Sequence, residues 1–357
     1  MRRILHERSI GHLGTLDPLA TGVLPLVTGS LTRLAQFYTA SEKTYEGVIR
    51  FGFATNTYDA DGEPVDSNVE TAAPSTNSGQ APGAPVGQMP DLNLEHIQKL
   101  STGFLGLIEQ VPPPFSAKKI NGVPAYKLAR KQQEVVLKPV QVEIKEFSIL
   151  SVAGDRAHFR ARVASGTYMR SVAHEMGQRL GCGAHLESLR RMAVAEFDIS
   201  HAHTLEEIEK QVARQTSAGR SSREQVNPGK INVGRIGAEQ TDVGQTNAGQ
   251  ANAGQTEAVQ IDDCHSEPGG KPGEEPAVLD AITNLFVHPR QLLPQFPAVT
   301  ADEATATRIR SGRPINLPEL SRARQVKVFQ GQRDLIAIAT RVAGTLFHPK
   351  IVFPSEQ

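Results

Sequence analysis

One carboxylate stands alone in a stretch of small and turn-forming residues near the start of the chain. Residues 11–22 read GHLGTLDPLATG, and Asp17 is the only acid between Glu7 and Glu42. Because Asp17 precedes a proline, its backbone favours an extended or turn conformation over a helical one. The carboxylate therefore either caps an Asx-type turn or does chemistry. With no second acid near it in the sequence, that chemistry would be the work of a lone nucleophile or base.

The composition is that of a water-soluble protein with room for two domains. The chain has 357 residues, of which 39% are hydrophobic, somewhat few for a wholly globular protein. Its two cysteines, Cys182 and Cys264, are too few for a disulfide framework or a structural zinc site. No apolar run is long enough to span a bilayer, and the N-terminal residues lead into no signal-type apolar segment. The expected location is the cytoplasm.

The charged residues are balanced in number but not in position. The chain carries 38 Lys and Arg and 38 Asp and Glu, a balance that by itself disfavours a nucleic-acid partner. Much of the acid, however, lies at 257–275, whereas the region 308–350 is rich in arginine. Another basic segment contains no acid and comprises Lys118, Lys119, Lys127, Arg130 and Lys131. Either these side chains form an RNA-binding surface, or they are solvated lysines and arginines on surface helices.

Two low-complexity segments interrupt the chain. Residues 71–90 are small, polar and rich in proline, which predicts a loop insertion. Residues 213–277 include the repeat VGQTNAGQANAGQTEA and hold too few apolar residues to offset the entropy of folding. We therefore expect a disordered linker there, between an N-terminal domain over 1–212 and a C-terminal domain over 278–357.

Hydrophobic periodicity predicts an α+β fold with a largely antiparallel sheet. Three segments alternate as half-buried strands, namely KTYEGVIRF, VQVEIK and RAHFRARV. The segment TYMRSVAHEMGQRLG instead has a helical stripe and ends at Gly181, where a helix C-terminus favours glycine. The sequence TLEE at 204–207 predicts a capping box that starts a short helix. After the linker, QVKVFQ and LIAIAT predict a small β-rich domain.

The stretch around Asp17 resembles the catalytic motif of the TruB family, the bacterial tRNA pseudouridine-55 synthases. The likeness covers roughly residues 2–210, apart from the first insertion, and resumes faintly in the C-terminal domain. Four blocks carry it in order: GHLGTLDPLATGVLPLVTG, KTYEGVIRFGFATNTYDADGEP, QVPPPFSAKKINGVPAYKLAR and SGTYMRSVAHEMGQRLGCGAHLESLRR. The resemblance implies a pseudouridine-synthase-like mixed sheet with flanking helices and a PUA-like C-terminal RNA-binding domain.

The resemblance implies a role for three side chains in particular. Asp17 matches the catalytic aspartate that acts on a uridine flipped out of its RNA. Tyr45 matches the tyrosine on which the base stacks, although ordinary cross-strand packing would also explain a strand tyrosine. Arg170 matches the arginine that pairs with the catalytic carboxylate, and such a guanidinium keeps a water-shielded carboxylate ionised. The alternative for Arg170 is a solvent-facing helix residue, because it lies off the apolar stripe.

Further residues match the pocket and the RNA grip of the family. Tyr168 and Leu189 match pocket positions, with core packing as their alternative. His12 matches a histidine near the flipped nucleotide, with a structural hydrogen bond as its alternative. The basic segment, here defined as Lys118 to Lys131, matches the part that grips RNA phosphates.

The family resemblance also implies what the enzyme needs. The substrate would be the T-arm stem-loop of tRNA, and the reaction needs no cofactor and no metal. We expect a monomer with no obligate protein partner and no membrane association.

Two departures from the family pattern leave other functions open. Relatives begin with a further strand and a Lys-Pro-containing turn before the helix that here starts at Met1, so we expect the true start to lie upstream. Alanine precedes Ser165 where relatives often have cysteine, which alters packing and not chemistry. The alternative function is a tRNA-binding or folding-chaperone protein without turnover. A hydrolase using Asp17 has little support, since no partner base stands at a hydrolase-like spacing.

Overall fold

The structure is a computed structural model that describes residues 1–65, 92–131, 133, 135–224, 285–320 and 322–354. The predicted insertion at 71–90 and the part of the predicted linker after residue 224 lie outside the described residues. The chain divides into two compact units, one formed by Met1–Ile208 with Asn284–Gln357 and the other by Glu209–Thr283. The first unit carries all the candidate site residues.

Strands make up most of the described regular structure. In chain order they are β1 (Ile10–His12), β2 (Ala20–Gly22), β3 (Leu26–Thr28), β4 (Lys43–Phe51), β5 (Ala54–Thr55), β6 (Pro64–Val65), β7 (Gly106–Gln110), β8 (Lys119–Ile120), β9 (Val123–Pro124), β10 (Val140–Ala153), β11 (Arg156–Val163), β12 (Ala184–Val194), β13 (Phe197–Asp198), β14 (Ala298–Ala301), β15 (Ile315–Asn316), β16 (Gln325–Gln330), β17 (Asp334–Ala343) and β18 (Leu346–Val352).

The α-helices of the described residues are fewer and mostly short. They are α1 (Arg2–Leu5), α2 (Ala35–Tyr38), α3 (Leu94–Thr102), α4 (Ala125–Ala129), α5 (Met169–Leu180), α6 (Leu205–Glu224) and α7 (Glu303–Arg310).

A mixed, largely antiparallel sheet forms the N-terminal part, as the alternating segments predict. Its order is β13-β12-β4-β11-β10-β7, and β2 joins β12 in parallel. The predicted strand 156–163 is β11, and the four apolar residues of its inward face are fully buried: Ala157, Phe159, Ala161 and Val163. Because β4 lies between β12 and β11, the side chain of Tyr45 is carried by the middle of the sheet.

Helix α5 packs on this sheet through the apolar stripe that its sequence shows. Met169, Val172, Ala173 and Met176 are all buried in the core against β4, β11 and β12. The helix ends where predicted, because Gly181 adopts the left-handed conformation at φ 70° that terminates helices. The packing fixes the first turn of α5 against the sheet, and that turn carries Arg170.

The predicted capping box of α6 is present, but the helix is longer than expected. The hydroxyl of Thr204 accepts a hydrogen bond from the Glu207 N–H, and the Glu207 carboxylate accepts one from the Thr204 N–H. The helix continues to Glu224 and so overlaps the first residues of the linker predicted over 213–277. Helix-forming Arg, Gln, Ala and Glu stand among the Thr, Ser and Gly of residues 213–224.

The C-terminal residues form the predicted small β-rich part. Its five-stranded sheet has the order β14-β16-β17-β18-β15, and the segments QVKVFQ and LIAIAT lie in β16 and β17. Helix α7 contributes Ile309 to a core with Val328 and Phe347. This curled sheet agrees with the expected PUA-like architecture.

A second core joins the C-terminal sheet to the segment that carries Asp17. Leu13 and Val27 from that segment are buried in one cluster with Phe329, Ile338 and Phe353 of the C-terminal part. Polar contacts accompany it. The Tyr38 hydroxyl donates to a Glu196 carboxylate oxygen (2.5 Å), which also accepts from the Leu293 N–H (2.9 Å). We call this cluster the shared core.

The shared core predicts that damage to the C-terminal sheet reaches the Asp17 segment. We expect Phe353→Ala to lower the free energy of unfolding by about 3–5 kcal/mol, because a large buried ring is replaced by a cavity. Phe353 is 2% exposed. Chemical denaturation measures the loss of stability. Hydrogen exchange of the amides of residues 10–28 in the folded protein measures the effect on the Asp17 segment. Leu346→Ala, on a side chain 39% exposed, serves as the control and should change stability by less than about 0.5 kcal/mol. Unchanged stability of Phe353→Ala would contradict the shared core.

Candidate active site around Asp17

The loop between β1 and β2 presents the Asp17 carboxylate to an arginine. The backbone turns at this point, with the Ala20 N–H donating to the Asp17 carbonyl at 2.9 Å. Arg170 Nε donates to Asp17 Oδ2 at 3.0 Å, and Arg170 Nη2 donates to Oδ1 at 3.1 Å. Two parallel hydrogen bonds of this kind hold a carboxylate in one orientation. The Asp17 carboxylate thus binds a side chain far away in sequence and does not close a local Asx turn.

Arg170 is buried, with a polar partner for each part of its guanidinium. Its side chain is only 5% exposed. Beyond Asp17, it donates to the carbonyls of Thr57 (3.3 Å) and Phe115 (3.1 Å) and to Asp59 Oδ2 (3.3 Å). The alternative of a solvent-facing helix arginine is therefore wrong. The position lies off the apolar stripe because it faces a polar, enclosed site.

Asp59 is the site residue that the sequence analysis missed. It is 4% exposed, and besides Arg170 it accepts hydrogen bonds from Thr57 Oγ1 (2.5 Å) and the Asp61 N–H (3.2 Å). Asp17 and Asp59 are thus both bound by one guanidinium, so a second carboxylate contacts the arginine that orients Asp17. Asp59 stands far from Asp17 in sequence, and only its place in the family block KTYEGVIRFGFATNTYDADGEP indicated that it belongs to the motif.

An aromatic stack supports the turn that carries Asp59. Tyr58 has a positive φ of 66°, which is uncommon outside glycine. Its ring stacks on that of His174 in α5, with the centroids 3.7 Å apart and the planes 9° apart. Burial lowers the pKa of His174 to about 4, so this ring is neutral near pH 7. The stack fixes the turn against the same helix that carries Arg170.

Removal of the Asp59 charge tests its role beside Arg170. We expect Asp59→Asn to slow the reaction by about 10- to 100-fold, because the guanidinium loses one anchor and its fork shifts relative to Asp17. The measurement is the single-turnover rate of the reaction proposed below. Asp61→Asn is the matched control, since Asp61 is exposed and donates to Asp59 through its backbone alone. A rate for Asp59→Asn equal to that of the control would contradict the role.

Tyr45 lies half-buried on the strand next to the Asp17 loop. Its Cα partners are Ala161 in β11 and Arg191 in β12. Burial raises the pKa of Tyr45, the Arg191 guanidinium partly offsets that rise, and the Asp17 charge adds to it. The phenol is therefore neutral at pH 7 and close to both charged groups. This placement suits a stacking surface beside the carboxylate as well as it suits cross-strand packing.

Tyr168 and Leu189 border the same site, and His12 ends the strand β1 that precedes the Asp17 loop. The Tyr168 N–H donates to Gln110 Oε1 at 2.8 Å, and burial together with the Asp17 charge raises the pKa of the phenol. Leu189 is 5% exposed and pairs with Ala20, three residues beyond Asp17. His12 is exposed, and its Nδ1 accepts from the Gly14 N–H at 3.4 Å. That contact is the structural hydrogen bond considered as its alternative.

The basic segment is exposed, and the residues just before it contact the site. It forms the hairpin β8–β9 and helix α4, with five exposed cations: Lys118, Lys119, Lys127, Arg130 and Lys131. The Arg170 guanidinium donates to the carbonyl of Phe115, just before the segment begins. The five cations are therefore exposed in the stretch of chain that follows Phe115, and the Arg130 guanidinium lies over the Tyr126 ring.

The fold of this chain also occurs in solved structures of other proteins. It is similar to the solved structure titled "Structure of H/ACA RNP bound to a substrate RNA containing 2'-deoxyuridine", with TM-score 0.53 and 16% identity over 99% of this chain and 79% of that chain. A second solved structure, "Crystal Structure of a Cbf5-Nop10-Gar1 Complex", has TM-score 0.51 and 17% identity over 96% of this chain and 73% of that chain.

The sequence comparisons then give the family. The model described as "TruB family pseudouridylate synthase (N terminal domain)" matches residues 2–77 and 72–169, and that described as "tRNA pseudouridylate synthase B C-terminal domain" matches residues 170–230. This chain belongs to the TruB family of pseudouridylate synthases, as its motifs predict.

Relatives named tRNA pseudouridine synthase B occur in several bacteria. The one from Solibacter usitatus is 37% identical over 355 residues, which cover 99% of this chain and 92% of that protein. The one from Opitutus terrae is 41% identical over 209 residues, which cover 58% of this chain and 79% of that protein. None of the helices in the described residues is both long and apolar enough to cross a bilayer.

Proposed function

We propose that this chain is a tRNA pseudouridine synthase that isomerises uridine-55 of the T-loop, with Asp17 as its catalytic carboxylate. The observation that carries the proposal is the two-point pairing of Asp17 with the buried Arg170, beside the ring of Tyr45. Membership of the TruB family supports the reaction class, and the names of the relatives support tRNA as the substrate.

The isomerisation rearranges bonds within one nucleotide. The N1–C1′ glycosidic bond breaks, the uracil turns, a C5–C1′ bond forms, and the C5 proton is lost while N1 gains one. Nothing is oxidised or reduced. A carboxylate serves this sequence as a nucleophile or charge partner for cationic C1′ and as the acceptor of the C5 proton. Arg170 holds the Asp17 carboxylate in one orientation for that role through its two hydrogen bonds.

The remaining groups serve the capture of the base. Flipping a uridine out of a folded loop costs a few kcal/mol, and stacking on an aromatic ring such as that of Tyr45 returns about 1–3 kcal/mol. Tyr168 and Leu189 line the pocket in this proposal. The cations of the basic segment contact phosphates and position the T-arm without reading its sequence. We further propose that the C-terminal sheet is a PUA-like RNA-binding domain, separated from the catalytic domain by the linker.

Release of the C5 hydrogen tests the proposal. A tRNA transcript labelled with tritium at uridine C5 is incubated with the protein, and we expect one tritium to be released per tRNA. A transcript with cytidine at position 55 is the matched control and should release none. Release from another uridine would overturn the assignment to position 55. Tight binding without any release would instead support the alternative of an RNA-binding protein without turnover.

A further inference from the structure

Arg191 is a buried cation whose hydrogen bonds run to the loop that carries Asp17. Its side chain is among the largest that are fully buried, at 0% exposed. Nε donates to the carbonyl of Val23 at 2.9 Å, Nη1 to that of Thr15 at 3.1 Å, and Nη2 to that of Gly14 at 2.9 Å. Two of these carbonyls precede Asp17 and one follows it. One rigid guanidinium therefore joins both ends of the loop.

The backbone of Arg191 also contacts the chain that follows Asp17. Its carbonyl accepts from the Val23 N–H at 3.0 Å, and its Cα pairs with Gly22 across the parallel β2–β12 contact. A Cβ added at Gly22 would lie 2.2 Å from the Arg191 carbonyl oxygen, so only glycine permits this approach. The loop therefore has little freedom to shift while Arg191 stays in place.

Arg191 also faces Tyr45, on the other side of the candidate site. The two residues are direct Cα partners between β12 and β4, which places their side chains on one face of the sheet. Lys43, on the same face of β4, lies close as well, since burial and the Arg191 charge lower its pKa. Arg191 thus touches the Asp17 loop and stands beside the ring of Tyr45.

We propose that Arg191 is a positioning residue that sets the gap between the Asp17 loop and the Tyr45 ring, into which the target base enters. The inference rests on the proposed function. A buried charge is costly compared with an apolar side chain of similar volume, so stability alone gives no reason for a guanidinium here. Its planar fork reaches three carbonyls in fixed geometry, whereas the compact ammonium of lysine does not.

The test compares rate with affinity in substituted proteins. Arg191→Lys keeps the charge without the fork, and Arg191→Met keeps the apolar stem without the charge. Arg190→Met is the matched control, because Arg190 is exposed on the opposite face of the same strand. We expect the single-turnover rate of tritium release to fall about 100-fold in both Arg191 variants, as for a misplaced catalytic group. The Kd for the T-arm should stay within threefold of that of the unsubstituted chain, a difference of about 0.6 kcal/mol.

Hydrogen exchange separates positioning from global stability. We expect faster exchange of the amides of residues 13–24 in Arg191→Lys, with unchanged exchange in β7 and β10, at the other end of the sheet from β12. An unchanged rate in either folded Arg191 variant would overturn the inference, and so would loss of folding in both, which would assign Arg191 to the stability of the domain. If the unsubstituted chain releases no tritium, the proposed function itself fails. That result differs from any result confined to the variants.

Discussion

Asp17→Asn is expected to abolish pseudouridine formation while leaving RNA binding intact. Asparagine has nearly the same shape and still offers one oxygen to Arg170, but it carries no charge and is a poor nucleophile and base. We expect the single-turnover rate to fall at least about 1,000-fold, equivalent to about 4 kcal/mol of transition-state stabilisation. The measurement is tritium release from the labelled T-arm under enzyme excess, with the Kd determined separately.

Asp334→Asn provides the control for this substitution. Asp334 is exposed at the start of β17, far along the chain from the candidate site, and its loss should not change the rate. Residual turnover of Asp17→Asn within about tenfold of the unsubstituted chain, or about 1.4 kcal/mol, would contradict a catalytic role for the carboxylate. Loss of binding together with rate would instead indicate that Asp17 holds the substrate.

Arg170→Met is expected to damage both activity and stability. The substitution leaves Asp17 and the buried Asp59 without their shared cation, and it orphans the carbonyls of Thr57 and Phe115. Removing one partner of a buried ion pair costs about 3–5 kcal/mol, and we expect a loss of stability in that range. The rate should fall at least about 100-fold, because the Asp17 carboxylate loses the fork that orients it.

Two further substitutions accompany Arg170→Met: Arg170→Lys as the conservative variant and Arg179→Met as the matched control. Lysine keeps the charge at position 170 but not the two-point geometry, so an intermediate rate is expected. Arg179 lies on the same helix, is exposed and pairs with Glu175 four residues away, so its loss should cost less than about 1 kcal/mol. Thermal unfolding and tritium release measure the two effects. Stability and rate unchanged in Arg170→Met would show that the ion pair is dispensable.

The sequence was sufficient to predict the elements that hold the site. Alternation with period two identified β4 and β11. β11 buries one face and leaves much of the other exposed, whereas β4, inside the sheet, is half-buried or buried on both faces. The apolar stripe of α5 and the end of this helix at Gly181 were also predictable from the sequence, because both depend on local geometry. The motif around Asp17 then supplied the family, and with it Arg170 as the partner of the carboxylate.

The contacts that complete the site depend on the tertiary fold, and the sequence did not reveal them. Asp59 stands 42 positions after Asp17 in the numbering, and the two meet only through the Arg170 guanidinium. Arg191 reads as an ordinary strand residue until the register sets it opposite Tyr45 and against Gly22. No local periodicity encodes such cross-strand neighbours. The shared core has the same origin, because it joins segments separated by most of the chain.

The most direct test is a crystal structure of the Asp17→Asn protein bound to an unmodified T-arm stem-loop. We expect that uridine-55 leaves the loop, that its ring stacks on Tyr45, and that C1′ lies about 3–3.5 Å from the side chain at position 17. A complex in which uridine-55 stays stacked inside the T-loop, or in which position 17 faces away from C1′, would contradict it.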